Sequence, residues 1–423
     1  MKKRIIVRGP ALSRSGYGEH ARFTLRMLKQ NEDKFDVYLD NVPWGQTGWI
    51  FQDDEERRWM DMIIAKTAIY RQQDGQFDAS MQVTIPNEWE KMAPINIGVT
   101  AGIETTKVAP QWVEKSFLMD KIITVSNHSK SIYENTSYEA QNNNTGEVIK
   151  DFKCRTPIEV VQYPVRKHKP ANINLDFETD FNFLAVAQIG PRKNIDNTVA
   201  WFVEEFIDQP VGLVLKIFIK NNSIIDKQHT EKHVREILKR YPQRQCKIYL
   251  LHGDISDEEM TGLYSHPKIK ALVTLTHGEG FGLPIFEAAY NGLPVIAPDW
   301  SGHLDFLYKP TENKKGKIKN KAHFAKVDYD IGPIPKEVVW EGVLIKESMW
   351  CYPKQGSYKM KLREVYKDHS RFNSQAKKLK TWICKNFKEA AQYEAFYNAI
   401  APVLDITSDE EIDQLFDQIS AGK

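Results

Sequence analysis

The chain has few cysteines, no surplus of either charge and no long apolar run, and each shortage excludes a class of protein. Its four cysteines, Cys154, Cys246, Cys351 and Cys384, lie far apart in 423 residues and form no C-x-x-C pair. Neither a zinc knuckle nor a redox dithiol is indicated. Isolated cysteines of this kind suit a reducing compartment, and a cytoplasmic location is expected. At the start, Ile5, Ile6 and Val7 make an apolar run that ends at Arg8, too short for a secretory signal. No stretch approaches the roughly 18 apolar residues of a spanning helix. Lys and Arg total 58 against 56 Asp and Glu, a formal net charge of +2. The whole molecule therefore has no general attraction for nucleic acid or anionic lipid, and any polyanion site must be local.

With 41% hydrophobic residues, a chain of this length can bury two cores. Apolar segments of strand length recur at residues 3–7, 36–39, 81–85, 95–100, 121–126 and 159–163. A second series follows at 182–188, 214–219, 247–251, 270–275 and 293–297. Helix-like segments separate them, the pattern of parallel sheets wrapped on both faces. Between the two series, residues 163–180 are polar, carry Pro164 and Pro170, and lack periodicity, which predicts an inter-domain linker. The predicted domains are residues 1–168 and 169–385, with a helical segment at 386–423. Residues 311–321, rich in lysine, are expected to form a solvated loop, with an acceptor-binding patch as the alternative. Leu379, Trp382, Ile383, Phe387, Tyr393, Phe396 and Ile400 fall near helical spacing and predict an amphipathic helix over 376–400.

The most informative stretch is residues 276–307. It follows a strand, and Gly278, Gly280 and Gly282 let backbone approach a ligand closely. Pro284 suits the first turn of a helix. A helix N-terminus at a strand's carboxyl end is where anions bind in open α/β sheets, and a diphosphate fits there. Glu279 and Glu287, with seven residues between them, flank this loop. As carboxylates they accept hydrogen bonds only, so sugar or ribose hydroxyls are natural partners.

The string Glu279-Gly280-Phe281-Gly282-Leu283-Pro284-Ile285-Phe286-Glu287, with Gly292 and the strand after it, resembles the Glu-x7-Glu signature of retaining GT-B glycosyltransferases. The resemblance implies a GT-B fold, with two Rossmann-like domains facing across a cleft and a C-terminal helix crossing back to the first. It also implies that Glu279 contacts donor-sugar hydroxyls, that Glu287 contacts the nucleotide ribose, and that amides from Gly280 to Leu283, Phe281 included, meet sugar and phosphates. In Ile189-Gly190-Pro191-Arg192-Lys193-Asn194, Arg192 and Lys193 resemble the pair that offsets the leaving diphosphate. Gly16 and Gly18 resemble the glycine-rich loop that touches donor phosphates from the other domain. Gly253, within residues 251–260, resembles the nucleobase loop, and Ser256 with Glu259 predicts a capping box on the next helix. Glu104 and Thr105 resemble the acceptor-side cleft, while His128 is read as a loop residue.

The donor so implied is a UDP- or GDP-sugar, with no cofactor and no metal. Asp328-Tyr329-Asp330 is a D-x-D string but follows no clean apolar strand. Trp44, Trp49, Phe51 and Trp59 belong to the acceptor domain, and burial is expected for most of them. The acceptor stays open among a glycan, a lipid-linked saccharide, a small metabolite and a hydroxylated DNA base. Two other readings compete. A dinucleotide-dependent oxidoreductase needs G-x-G-x-x-G after its first strand, and residues 5–30 lack the third glycine. A non-catalytic sugar-nucleotide-binding module would carry the same motifs and differ in turnover.

Overall fold

The computed structural model describes residues 2–141, 146–312 and 316–405. The first half runs β1 (Lys3–Gly9), α1 (Gly16–Gln30), β2 (Phe35–Asn41), α2 (Glu55–Gln72), β3 (Ala79–Val83), β4 (Ile95–Thr100), α3 (Pro110–Ser116), β5 (Lys121–Thr124) and α4 (Asn127–Asn135). A hairpin of β6 (Tyr138–Gln141) and β7 (Val148–Phe152) precedes β8 (Ile158–Val160). Six strands pair in parallel in the order β2-β1-β3-β4-β5-β8. Ile5, Ile6 and Val7 have no solvent exposure although successive side chains point to opposite faces, as expected of a strand covered on both sides.

The second half repeats the plan. It runs β9 (Asn182–Gln188), α5 (Ile195–Glu205), β10 (Gly212–Phe218), α6 (Ile224–Leu238), β11 (Lys247–Leu250), α7 (Asp257–Ser265), β12 (Ile269–Val273), α8 (Leu283–Asn291), β13 (Val295–Pro298) and α9 (Leu304–Leu307). A hairpin of β14 (Tyr308–Glu312) and β15 (Ile318–Ala322), strand β16 (Ala325–Val327) and a hairpin of β17 (Tyr329–Pro333) and β18 (Met349–Pro353) follow. Helices α10 (Gln355–Lys367), α11 (His369–Asn386) and α12 (Glu389–Ile400) end the described chain. The second parallel sheet has the order β11-β10-β9-β12-β13-β16, so strand order reverses between β9 and β12. These are two Rossmann-like α/β domains. No helix among the described residues is long and apolar enough to cross a membrane.

Five sequence expectations need correction. Residues 311–321 fall largely in a hairpin, with Lys309 opposite Lys321 and Thr311 opposite Lys319; residues 313–315 lie outside the described part. The stretch 163–180 is docked: Tyr163, Val165 and Phe177 are buried, and the Ala171 N–H donates to the Glu258 carbonyl. The helix expected over 376–400 is two helices, because Lys388 takes an extended conformation and the Val165 N–H donates to the Phe387 carbonyl at 2.7 Å. Of the aromatic set, Trp49 and Phe51 are exposed, at 44% and 79%, and Trp44 and Trp59 half-buried. His128 lies in the first turn of α4 rather than in a loop.

That break at Phe387 sends α11 and α12 to different domains. Helix α11 lies on α8, with Phe387 edge-on to Phe286 at 5.5 Å. Helix α12 lies on α1, where Phe396 meets Phe23 at 5.3 Å and Tyr393 meets it at 5.8 Å. The C-terminal helix therefore packs on the first domain; residues 406–423 of that segment lie outside the described part. Residues 334–348, between β17 and β18, also reach the first domain: the Ser348 hydroxyl donates to the Lys107 carbonyl at 3.3 Å, and Val343 joins the core of Trp89 and Trp112. Because Phe396 and Phe23 have no exposure, Phe396→Ala should destabilise the chain by about 3–5 kcal/mol in urea unfolding. A loss below about 1 kcal/mol would show that the crossing helix contributes little.

Candidate active site

Open α/β sheets bind ligands outside the carboxyl ends of the strands where the strand order reverses. Here that place lies between β9 and β12, and the two loops delivered there carry Arg192 with Lys193 and Glu279. After β9 a short 3-10 turn, Pro191–Lys193, ends on Asn194 in the left-handed region (φ 51°) and holds both cations on one side. Lys193 Nζ donates to Glu279 Oε1 at 2.5 Å, and Arg192 Nη1 donates to Glu279 Oε2 at 3.0 Å and to the Gly278 carbonyl at 2.6 Å. The Glu279 N–H donates to Ser301 Oγ, and the Gly302 N–H donates to the Glu279 carbonyl, both at 2.9 Å. Ser301 has φ 83°, an uncommon value for a residue with a side chain.

The first domain closes this site. Glu104, in the loop after β4, forms an ion pair with Arg192, its Oε1 2.9 Å from Nε. The approach is close enough to require glycine: a Cβ at Gly278 would lie 2.2 Å from the Glu104 carbonyl oxygen, and one at Gly280 would lie 2.2 Å from that of Ala101. Arg14 lies 3.5 Å from Asp254 across the same cleft. Asp305 accepts from the backbone and side chain of Asn127 and from Gln162. Thr105 is buried with its hydroxyl on the Lys107 carbonyl, so its side chain is committed to its own loop.

The two signature glutamates occupy opposite electrostatic environments. Burial alone would raise the Glu279 carboxyl, but Lys193 and Arg192 outweigh it and hold the group down at about 2. Burial and the adjacent Arg192 push the Lys193 ammonium down. Glu287, in the first turns of α8, accepts from the Tyr264 hydroxyl at 2.8 Å. Burial pushes its carboxyl up to about 7; the Tyr264 bond opposes this, and Asp257 and Glu19 reinforce it. Helix α8 begins at Gly282, whose φ of 92° suits glycine, with Pro284 in its first turn. Its leading amides have no partner within the helix.

Other predicted positions sit around this centre. Gly16 and Gly18 open α1, where the Gly16 carbonyl accepts from the Tyr163 hydroxyl at 3.3 Å and the Gly18 N–H donates to Ser15 Oγ. Gly253 accepts from Lys216 Nζ at 2.6 Å, and Ser256 and Glu259 form the expected capping box. Phe281 turns its ring into the core, 5.1 Å from Tyr163 and 4.9 Å from Phe306, leaving only its backbone for the loop. Asp330 pairs with Lys354 at 2.8 Å, and no metal-holding group of three or more His, Cys, Asp or Glu occurs among the described residues. Sequence reading gave no separate role to Ser301, Tyr264 and His277. The last lies parallel to Trp350 at 5.1 Å, with Nδ1 2.6 Å from the Cys351 carbonyl oxygen. Ser301 and His277, both inside the quoted stretch 276–307, had a local signal.

Among solved structures, HepE from Anabaena in complex with UDP and glucose aligns over 95% of this chain and 100% of its own, at TM-score 0.57 and 11% identity. Sucrose-phosphate synthase from Thermosynechococcus elongatus aligns over the full length of both chains at TM-score 0.56 and 13% identity. The lipopolysaccharide outer core galactosyltransferase WaaB covers 94% and 99% at TM-score 0.52 and 11% identity. The chain has the GT-B fold. No protein-family profile matches this GT-B chain. The serotype-specific mannosyltransferase WbdA of Escherichia coli is 36% identical over 120 residues, which is 28% of this chain and 13% of that protein. The match thus spans about an eighth of the curated relative's length.

The Glu287 environment has a measurable consequence. In the folded GT-B chain its carboxyl keeps a proton up to about pH 7, whereas the ordinary value is 4.5. Its contribution to stability is greatest below the ordinary value, declines as pH rises to about 7, and is flat above. Glu287→Gln should remove this decline, gaining on the parent by on the order of 1–3 kcal/mol at about pH 8. Parallel stability curves for the two proteins would show that Glu287 does not titrate in this window.

Proposed function

We propose that the chain is a retaining glycosyltransferase that moves a hexosyl or pentosyl group from a UDP- or GDP-sugar to an acceptor hydroxyl. The observation that carries this reading is the convergence of Arg192, Lys193 and the α8 N-terminus on Glu279 at the strand-order switch of the second sheet. Three sources of positive potential at one point suit a group that gains negative charge as it leaves. Glu279 accepts from donor-sugar hydroxyls and Glu287 from the ribose. Gly16 and Gly18 bring α1 to the phosphates, and Gly253 lies in the nucleobase loop. In the reaction the bond from anomeric carbon to diphosphate oxygen breaks, and its electron pair goes to the diphosphate. The acceptor oxygen bonds to the same face, and its proton passes to the departing diphosphate.

WbdA, over the stretch it shares, is by its name a mannosyltransferase, and HepE binds UDP, which supports a nucleotide-sugar donor here. The acceptor belongs to the class of glycans, lipid-linked saccharides or hydroxylated DNA bases. A matrix of nucleotide sugars against these acceptors, read by mass spectrometry for a transferred sugar, tests the activity; donor binding without transfer to any of them would mark a binding module instead. Because the cations named above can offset the diphosphate, activity is expected to persist in EDTA. Loss in EDTA with recovery on adding manganese would overturn the metal-independent mechanism.

The glutamates should separate. Glu287→Ala should weaken the free nucleoside diphosphate and the nucleotide sugar alike, by about ten- to a hundredfold, since both carry the ribose. Glu279→Ala should lower turnover by a similar factor without weakening the free nucleotide. Calorimetry beside steady-state kinetics reads both, and equal weakening of the nucleotide by the two variants would refute the division of roles.

A further inference from the structure

Resting on that donor reading, we propose that Glu104 is a positioning residue that stands in for the donor diphosphate: it holds Arg192 in the donor-free enzyme and releases it when the diphosphate arrives. The charges at the site require something of this kind. Arg192 and Lys193 face Glu279 and Glu104, two positive groups against two negative ones. A diphosphate adds about two further negative charges beside these groups, where screening by water is weak. Both carboxylates cannot keep their hold on the cations at that point, and one must withdraw.

Geometry decides which one yields. Glu279 is engaged by both cations, its N–H and carbonyl are fixed by Ser301 and Gly302, and its side chain is only 10% exposed. Glu104 meets Arg192 as an ion pair without a side-chain hydrogen bond to it, is 22% exposed, and belongs to the opposite domain. Arg192 meanwhile keeps Nη1 on Glu279 and on the Gly278 carbonyl, so it can give up the Glu104 ion pair without leaving the site. The guanidinium presents five N–H groups in a fixed fork, which suits an exchange of carboxylate for phosphate oxygen. Glu104 and the diphosphate thus compete for one cation.

The competition predicts an effect opposite in sign to that of a damaged loop. Calorimetry of UDP and GDP binding to Glu104→Gln should show about three- to tenfold tighter affinity than the unaltered chain, because no carboxylate has to be displaced. Binding of uridine or guanosine, which lack phosphate, should not change. Glu104→Asp, which keeps the charge on a shorter side chain, should fall between the two; it decides the matter if the Gln variant does not fold. Unchanged or weaker nucleoside diphosphate binding in the folded variants overturns the competition, and a parallel loss of nucleoside binding would show that Glu104 only shapes the loop. If the unaltered chain binds neither UDP nor GDP, the donor reading itself fails and this inference falls with it.

Discussion

Two adjacent cations cannot be brought together away from water without carboxylates to meet them, and the site of this protein is organised around that requirement. Arg192 and Lys193 follow one another in a single turn after β9. Their partner Glu279 comes from the loop after β12, the neighbouring strand, so the reversal of strand order sets the distance between them. The loop after β13, through Ser301 and Gly302, fixes the backbone of Glu279. The first domain reaches the same cluster through Glu104, and the glycines at 278 and 280 exist in a space that a side chain could not share with that domain's carbonyls. Sheet topology, loop composition and domain contact all serve one patch of balanced charge.

Two glutamates separated by seven residues thereby come to behave as different chemical groups. Glu279 lies against two cations and keeps its charge throughout the pH range of a cell. Glu287, on the flank of α8, has a tyrosine hydroxyl and acidic neighbours instead, and near neutrality its proton is in balance. Nothing in the spacing of the motif encodes that contrast. It arises from burial without a facing cation, reinforced by Asp257 on α7 and Glu19 on α1 and opposed by the Tyr264 hydroxyl, groups that the fold brings from two other helices.

The same distinction explains how much could be read in advance. The strands of both parallel sheets, the short β16 excepted, were legible because they are covered on both faces and therefore appear as apolar runs, as in Ile5-Ile6-Val7. The hairpins were not: β7 and β15 are almost wholly exposed, and a strand without a buried face leaves no pattern. The signature loop, the Arg192-Lys193 pair and the capping box of α7 are local in sequence and were legible for that reason. The Glu104–Arg192 contact joins residues of different domains, and no spacing announces it. Aromatic content misled: Trp49 and Phe51 look like core by residue type yet stand in solvent on the loop after β2. The helix break at Phe387 was hidden because its cause, the amide of Val165, lies in a segment expected to be an inter-domain linker.

That amide also fixes the order in which the molecule can be completed. Val165, where the chain leaves the first domain, bonds to Phe387, where it returns, so residues between them amount to an insertion with adjoining ends. The first domain is then discontinuous: Phe23 and Phe35 gain their covering rings, Phe396, Tyr393 and Tyr397, only from the far end of the chain. During synthesis from the N-terminus, the part made first is the last to be finished. An apolar face on α1 stays uncovered while the whole second domain is translated, and it is sealed only when α12 leaves the ribosome.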